Sequence, residues 1–198
     1  MQRPPIEEFI AQARRREAAQ PSGRLPLPEF ASWQTWPFEG ELVVRRVADP
    51  VLPEVPRKGE EGSPCRACMD GDESYLWAAD NWRVRASNEP TGLPAVLFLE
   101  PRAHHDLDTL PDHLLGELGP MMRKVERALL SLGDVARVQM MRWGDGAEHF
   151  HLWFFPRPLG FAQGRGSFLS LWDDLLPPRP EAEWHATLAE LATALARP

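Results

Sequence analysis

The stretch Glu148-His149-Phe150-His151-Leu152-Trp153-Phe154-Phe155-Pro156-Arg157 constrains this chain more than any other. Read as a strand, it alternates with a period of two. Phe150, Leu152 and Phe154 then face one way, toward a core, while His149, His151 and Trp153 face the other. Burying two imidazoles and an indole without polar partners is expensive. Upstream, Arg142-Trp143-Gly144-Asp145-Gly146-Ala147 is turn-rich, and its glycines let backbone approach a ligand closely. Imidazole serves as base, nucleophile and metal ligand, so two histidines at i, i+2 after such a turn suggest a site. The competing reading, two satisfied structural histidines, stays open on this stretch alone.

A chain of 198 residues is long enough for one domain with a proper core, with or without extensions. Net charge is -7, which disfavours non-specific binding to nucleic acid or to an anionic membrane. No apolar run approaches the ~20 residues that span a bilayer. The N-terminus lacks the apolar segment of a signal peptide, so a cytoplasmic location is expected. In that compartment the two cysteines, Cys65 and Cys68, read as a metal or redox pair rather than a disulfide.

Residues Pro5 to Ala19 carry Ile6, Phe9, Ile10 and Ala13 at helical spacing, with Arg14-Arg15-Arg16 as a solvated basic patch. From Gln20 to Pro64 the chain is rich in Pro and Gly. Glu41 to Arg46 is a short strand candidate there, and Lys58 to Gly62 reads as an exposed linker. Trp33, Trp36 and Phe38 could cover a sheet edge or line a pocket. Ser74 to Ala78 and Trp82 to Ala86 read as a hairpin turned by Asp80-Asn81. Ala95 to Glu100 fits a central strand. A helix capped by Thr109, with Pro111 in its first turn, carries Leu115, Leu118, Met122, Val125 and Leu129 as its stripe and ends at Gly133. Gly119-Pro120 is a point where it could kink or divide. Val135 to Trp143 is the next strand. After Arg157, residues 165–174 mix loop and short helix, and Glu181 to Arg197 is a closing helix.

Cys65, Cys68, His104 (or His105) and His149 together meet the ligand requirement of a closed tetrahedral zinc site. The alternative is a pair of buried thiols and a loop-capping histidine.

The order is a cysteine pair, a hairpin, a strand ending in Pro101-Arg102-Ala103-His104, a helix, a strand, and then His149-x-His151 followed by Pro156-Arg157. It resembles the histidine-triad superfamily, which also includes galactose-1-phosphate uridylyltransferase. The resemblance spans roughly Cys65 to Pro158. It implies an α+β fold with a meandering antiparallel sheet and a packed helix. The chain then divides into an N-terminal extension (1–64), a core (65–158) and a C-terminal extension (159–198) with a terminal helix.

By the resemblance, His151 attacks the α-phosphorus of a nucleotide and becomes a nucleotidyl-histidine. Cys65, Cys68, His104 and His149 hold a structural zinc. Homodimers are common in the family. The implied function is a nucleotidyl hydrolase or transferase acting on a phosphoanhydride, phosphoester or phosphoramidate of a small nucleotide, with no nucleic-acid or membrane partner. The alternative is a zinc-stabilised nucleotide-binding or scaffold protein without turnover. The chain departs from the family pattern at Trp153, where hydrolases have a third histidine and the transferase branch usually has glutamine. Indole N–H donates a hydrogen bond but cannot deliver a proton in acid catalysis. In place of the family's ribose-binding aspartate the chain offers Asn88 or Glu89. Gly144 and Gly146 would present backbone N–H groups to phosphate, with Arg157 as a further cation and Glu148 placing a carboxylate nearby.

Overall fold

A computed structural model describes residues 5–197 and divides the chain into two units, Met1–Val55 and Pro56–Pro198. In the first unit the expected amphipathic segment forms α1 (Ile6–Ala18). Its basic run is partly paired: Arg14 meets Asp49 and the Val47 carbonyl, and Arg15 meets Glu8. Trp33, Trp36 and Phe38 gather with Phe30, the ring centroids of successive contacts lying 5.4–6.4 Å apart. Glu41 to Arg46 forms no ladder, contrary to the sequence pattern. Its alternation satisfies a strand on paper, but the Val44 carbonyl takes the Arg24 guanidinium and Val43 points into solvent.

The second unit is an α+β layer. Its elements are α2 (Arg66–Met69), β1 (Trp77–Ala78), β2 (Trp82–Ala86), β3 (Leu97–Pro101), α3 (Asp112–Leu130), β4 (Val135–Met141), β5 (Leu152–Pro158), α4 (Leu169–Leu175) and α5 (Glu181–Leu195). All strand pairs are antiparallel, in the order β1-β2-β3-β5-β4. The sheet therefore meanders through its first three strands only. The chain then crosses on α3 to the far edge as β4, and β5 turns back into the gap beside β3.

This insertion makes β5 a central strand, flanked by Leu97–Leu99 on one side and Val138–Met141 on the other. One face packs Trp82, Val84, Leu97, Leu99, Phe150, Leu152 and Phe154 against Leu114, Val125 and Leu129 of α3, backed by Leu191 and Leu195 of α5. On the other face Phe155, Val96 and Leu93 meet Leu169 of α4. Here lie also Arg83, Arg85, Phe98 and Trp153, the residues that alternate with the first set. Helix α3 continues through Pro120, which sits on its exposed side; the proline removes one backbone donor there without dividing the helix. Thr109 does not cap α3. It closes the preceding turn, accepting from Asp106 N while the Asp106 carboxylate accepts from Leu107 N.

The core reading makes a simple expectation. Leu129 is fully buried and Leu130, its neighbour, is exposed. Leu129→Ala should cost about 2–5 kcal/mol of unfolding free energy, while Leu130→Ala should cost within about 0.5 kcal/mol. Urea denaturation of the two variants measures the contrast.

Candidate metal centre and adjoining cavity

Hydrogen-bonded pairing of β5 begins at Leu152, so His149, Phe150 and His151 continue its line beyond the ladder. They are held by the loop after β3: Phe150 N donates to the His105 carbonyl at 2.6 Å, and His149 Nε2–H donates to the Pro101 carbonyl at 2.8 Å. The alternation expected from the sequence persists. Phe150, Leu152 and Phe154 enter the core against α3, and His149, His151 and Trp153 line one cavity.

His149 is 2% exposed. With Nε2 committed as a donor, Nδ1 is left with its lone pair, and it lies 3.5 Å from both Cys65 Sγ and Cys68 Sγ. His104 approaches from the loop after β3, with Nδ1 3.3 Å from Cys68 Sγ. Its Nε2–H donates to the Glu148 carboxylate at 3.0 Å. The four potential ligand atoms all lie within 4.8 Å of one another. Zinc bonds of about 2.3 Å to sulfur and 2.0–2.1 Å to nitrogen imply ligand–ligand edges of roughly 3.3–3.8 Å in a tetrahedron. The three sulfur–nitrogen separations above fall on those edges. Each imidazole also turns its other nitrogen to an acceptor, one a carbonyl and one a carboxylate, the arrangement that orients metal-bound histidines.

The electrostatics suit a cation. Burial pushes His149 down to about 4, overcoming the raising effect of the Pro101 carbonyl, so the ring stays neutral at ordinary pH. The Cys68 thiol is pushed up to about 11, first by desolvation and then by the neighbouring Cys65 thiol. A positive charge among the four would reverse that and hold the sulfur as thiolate.

Behind the cysteines, a buried guanidinium fixes the one-turn helix α2 that carries them. Arg83 donates to the Ala67 carbonyl at 2.5 Å and the Asp70 carbonyl at 3.1 Å, and lies over the Tyr75 ring. Next to it Arg85 pairs with the buried Glu100 at 2.9 Å, and Tyr75 O–H donates to the same carboxylate. A second hub sits at Asp106, whose carboxylate receives Arg57 at 2.6 Å and Arg142. Burial works to raise that carboxyl, and the hydrogen bonds from Arg57, Leu107 N and Arg142 overcome it and hold it low.

The remaining sequence-derived positions are distributed as follows. His151 and Trp153 line a cavity of about 250 Å³ with Lys58, Arg66, Arg85, Phe98 and Glu100. His151 Nδ1–H donates to the His149 carbonyl at 2.9 Å, so in the neutral ring Nε2 carries the lone pair. Trp153 stacks parallel to Phe155 and meets Phe98 and Trp143. Gly144 has φ of 76° and lies against the Arg142 guanidinium, while its carbonyl accepts from Arg57. The Gly146 carbonyl accepts from Lys58 N, and Glu148 N donates to the Lys58 carbonyl. That amide is thus taken up by backbone, and the Glu148 side chain belongs to His104. Asn88 is exposed in the turn between β2 and β3, outside the lining of the His151 cavity. Arg157 lines a different cleft, with Arg137 and Arg165, and donates to the Phe161 carbonyl. His105 contributes backbone, not its ring, at the cluster.

Sequence reasoning passed over Lys58, Arg83, Arg85 and Asp106. Only Arg83 and Arg85 carried a signal: charged residues alternating with Trp82 and Val84 in a strand that must lie mid-sheet.

Fold and site together define an α+β protein with a Cys₂His₂ cluster at the open end of a central strand and an imidazole-bearing cavity beside it. No family model matches the sequence, and no curated protein matches it. Solved structures similar to the chain include a histidine triad protein from Sinorhizobium meliloti 1021 (16% identity, 60% of this chain and 87% of that one, TM-score 0.49). A zinc-bound histidine triad family protein from Mycobacterium smegmatis shares 19% identity over 62% of this chain and 83% of that one, with a TM-score of 0.46. A uridylyltransferase shares 19% identity over 66% of this chain but 44% of that one, with a TM-score of 0.46. Among the described residues no helix is long and apolar enough to cross a membrane.

The cluster makes a proton-counted expectation. Cys68 is protonated near neutrality without metal and must ionise to bind it, so zinc added to metal-free protein at pH 7 should release at least one proton per ion bound. A pH-indicator titration measures this. Glu148→Gln should weaken zinc binding by roughly 10-fold or more, since the carboxylate orients His104. Competition with a chromophoric chelator reads that change.

Proposed function

We propose that the protein is a histidine-triad-like nucleotidyl hydrolase or transferase with a structural zinc, and that His151 is its nucleophile. The observation that carries this reading is the tautomer of His151. A backbone carbonyl can only accept, so Nδ1 holds the proton and Nε2 offers its lone pair at a cavity bordered by cations.

In the first step Nε2 attacks the phosphorus of a nucleotide phosphoanhydride, phosphoester or phosphoramidate. A P–N bond forms, and the bond from phosphorus to the leaving group breaks with its electron pair. In the second step water or an acceptor hydroxyl attacks phosphorus, and the pair of the P–N bond returns to Nε2. The carbonyl of His149 supports both steps, because it accepts from Nδ1–H more strongly as the ring acquires positive charge. Arg85 and Arg66 border the space where phosphate charge would sit, and Phe98 and Trp153 offer flat apolar surface. At 250 Å³ the cavity is smaller than the ~300–1,000 Å³ usual for a whole small ligand, which suits a reacting phosphate and its sugar with the base at the mouth. The net charge of -7 favours a small nucleotide over nucleic acid.

Zinc is the reading for the cluster because two thiolates and two neutral imidazoles form one of its usual closed tetrahedral sets. With four protein ligands the ion has no open position, so its contribution is to hold α2, the loop after β3 and residue 149 together.

Incubation with a panel of mono- and dinucleotides, followed by intact-mass measurement, tests the reading. A nucleotidyl adduct is expected on the wild-type chain and absent from His151→Ala, while zinc content is unchanged in that variant. No adduct and no turnover with any member of the panel would overturn it.

A further inference from the structure

Trp153 leaves the cavity without a motif residue that can hand a proton to a departing group, and one residue from outside the motif that can do so lines the same cavity. We infer that Lys58 is the proton donor to the leaving group; the inference rests on the reading of His151 as nucleophile.

Lys58 belongs to a segment that reads as a linker, yet it is strapped to the site. It forms a parallel bridge with Ala147, Lys58 N donating to the Gly146 carbonyl at 3.2 Å and the Lys58 carbonyl accepting from Glu148 N at 2.9 Å. The preceding residue, Arg57, is anchored on Asp106, Glu60 and the Gly144 carbonyl. A backbone held on both sides places Lys58, an exposed residue, on the wall of the cavity that also contains His151 and Trp153.

The other cations of that wall are engaged. Arg85 pairs with Glu100 and Arg66 with Asp70. Lys58 has no hydrogen bond or ion pair to a side chain among the described residues, so its ammonium is available. The chain contains only one other lysine, Lys124, which lies far along α3, against twenty arginines. The distinction matters chemically. An ammonium can give up a proton and recover it, whereas a guanidinium stays charged throughout.

The step balances as follows. His151 Nε2 forms the P–N bond while the bond to the leaving oxygen or nitrogen breaks. The departing atom takes the electron pair together with a proton from Lys58, which becomes a neutral amine. In the second step the attacking water or hydroxyl loses its proton to that amine as the P–N bond breaks, restoring ammonium and free imidazole.

The test compares two substrates of one nucleoside monophosphate, a p-nitrophenyl ester and an alkyl ester or amidate. Lys58→Met should slow the alkyl or amidate substrate by roughly 10²-fold or more, and the p-nitrophenyl ester by only a few-fold, because p-nitrophenolate leaves without help. Lys58→Arg keeps the charge and should restore KM but not the rate on the poor leaving group. The adduct on His151 should still form from the p-nitrophenyl ester in both variants, and zinc content serves as the check on folding. Equal slowing of both substrates, no slowing, or full rescue by arginine overturns the role of Lys58 while His151 stands. Absence of the adduct in the wild-type chain overturns the nucleophile reading and, with it, this one.

Discussion

A buried imidazole needs partners on both nitrogens, and His149 can be buried only where two different parts of the chain meet. Nε2 finds the carbonyl of Pro101, the last residue of β3, and Nδ1 finds the thiols of Cys65 and Cys68. These two demands fix the end of β5 against the end of β3 on one side and against α2 on the other. They also settle the ring orientation, since a carbonyl accepts only. Without metal the site tolerates His149 by keeping it neutral, beside a Cys68 thiol whose ionisation burial opposes. A divalent cation resolves that tension, because it wants neutral nitrogen and anionic sulfur at the same separations.

Elements around the cluster are short or irregular, and partly buried ion pairs and side-chain-to-backbone hydrogen bonds take the place of regular secondary structure. α2 is a single turn, too short to persist alone. Arg83 stabilises it by taking two of its terminal carbonyls, which a helix otherwise leaves unpaired. The segments containing Arg57, Asp106 and Arg142 likewise have no ladder in common, and one carboxylate joins them. The group is only partly buried, so losing one partner leaves a charge that water reaches incompletely. The glycine loop is therefore clamped by Arg57 and by the Lys58 bridge. It is preorganised, and part of its backbone is already used.

Periodic features were legible in the sequence, and long-range pairings of aperiodic segments were not. The apolar alternation of 150, 152 and 154 and the stripe of α3 locate the core because each repeats against a wall that is apolar throughout. The insertion of β5 between β3 and β4 leaves no local trace, since antiparallel neighbours on either side demand the same side chains. Glu41 to Arg46 shows the opposite case, with the right alternation but no partner strand. The ligand set was readable because Cys and His in that order have few structural uses. His104 was separable from His105 only by geometry: the 105 backbone is drawn to Phe150 N, which turns its ring out of the cluster. Glu148 and Lys58 are charged residues in loops, where sequence alone suggests solvent; one faces a histidine 44 positions earlier and the other reaches a loop nearly 90 residues away.

Two adjacent pleats of one extended segment thus carry two different imidazole chemistries. His149 is neutral, buried and bound through Nδ1; His151, two residues on, is half-buried with Nδ1 protonated and Nε2 free. The peptide between them links the two states, because the carbonyl that sets the tautomer of His151 belongs to His149 itself. The peptide that carries it is held at its other end, where Phe150 N donates to the His105 carbonyl, and the adjoining His149 ring is held by the Pro101 carbonyl and the cysteine pair. A cation held by the four ligand atoms would reach the cavity through this peptide. By steadying the acceptor of His151 Nδ1–H, the cluster would then act on the neighbouring ring as well as on the fold.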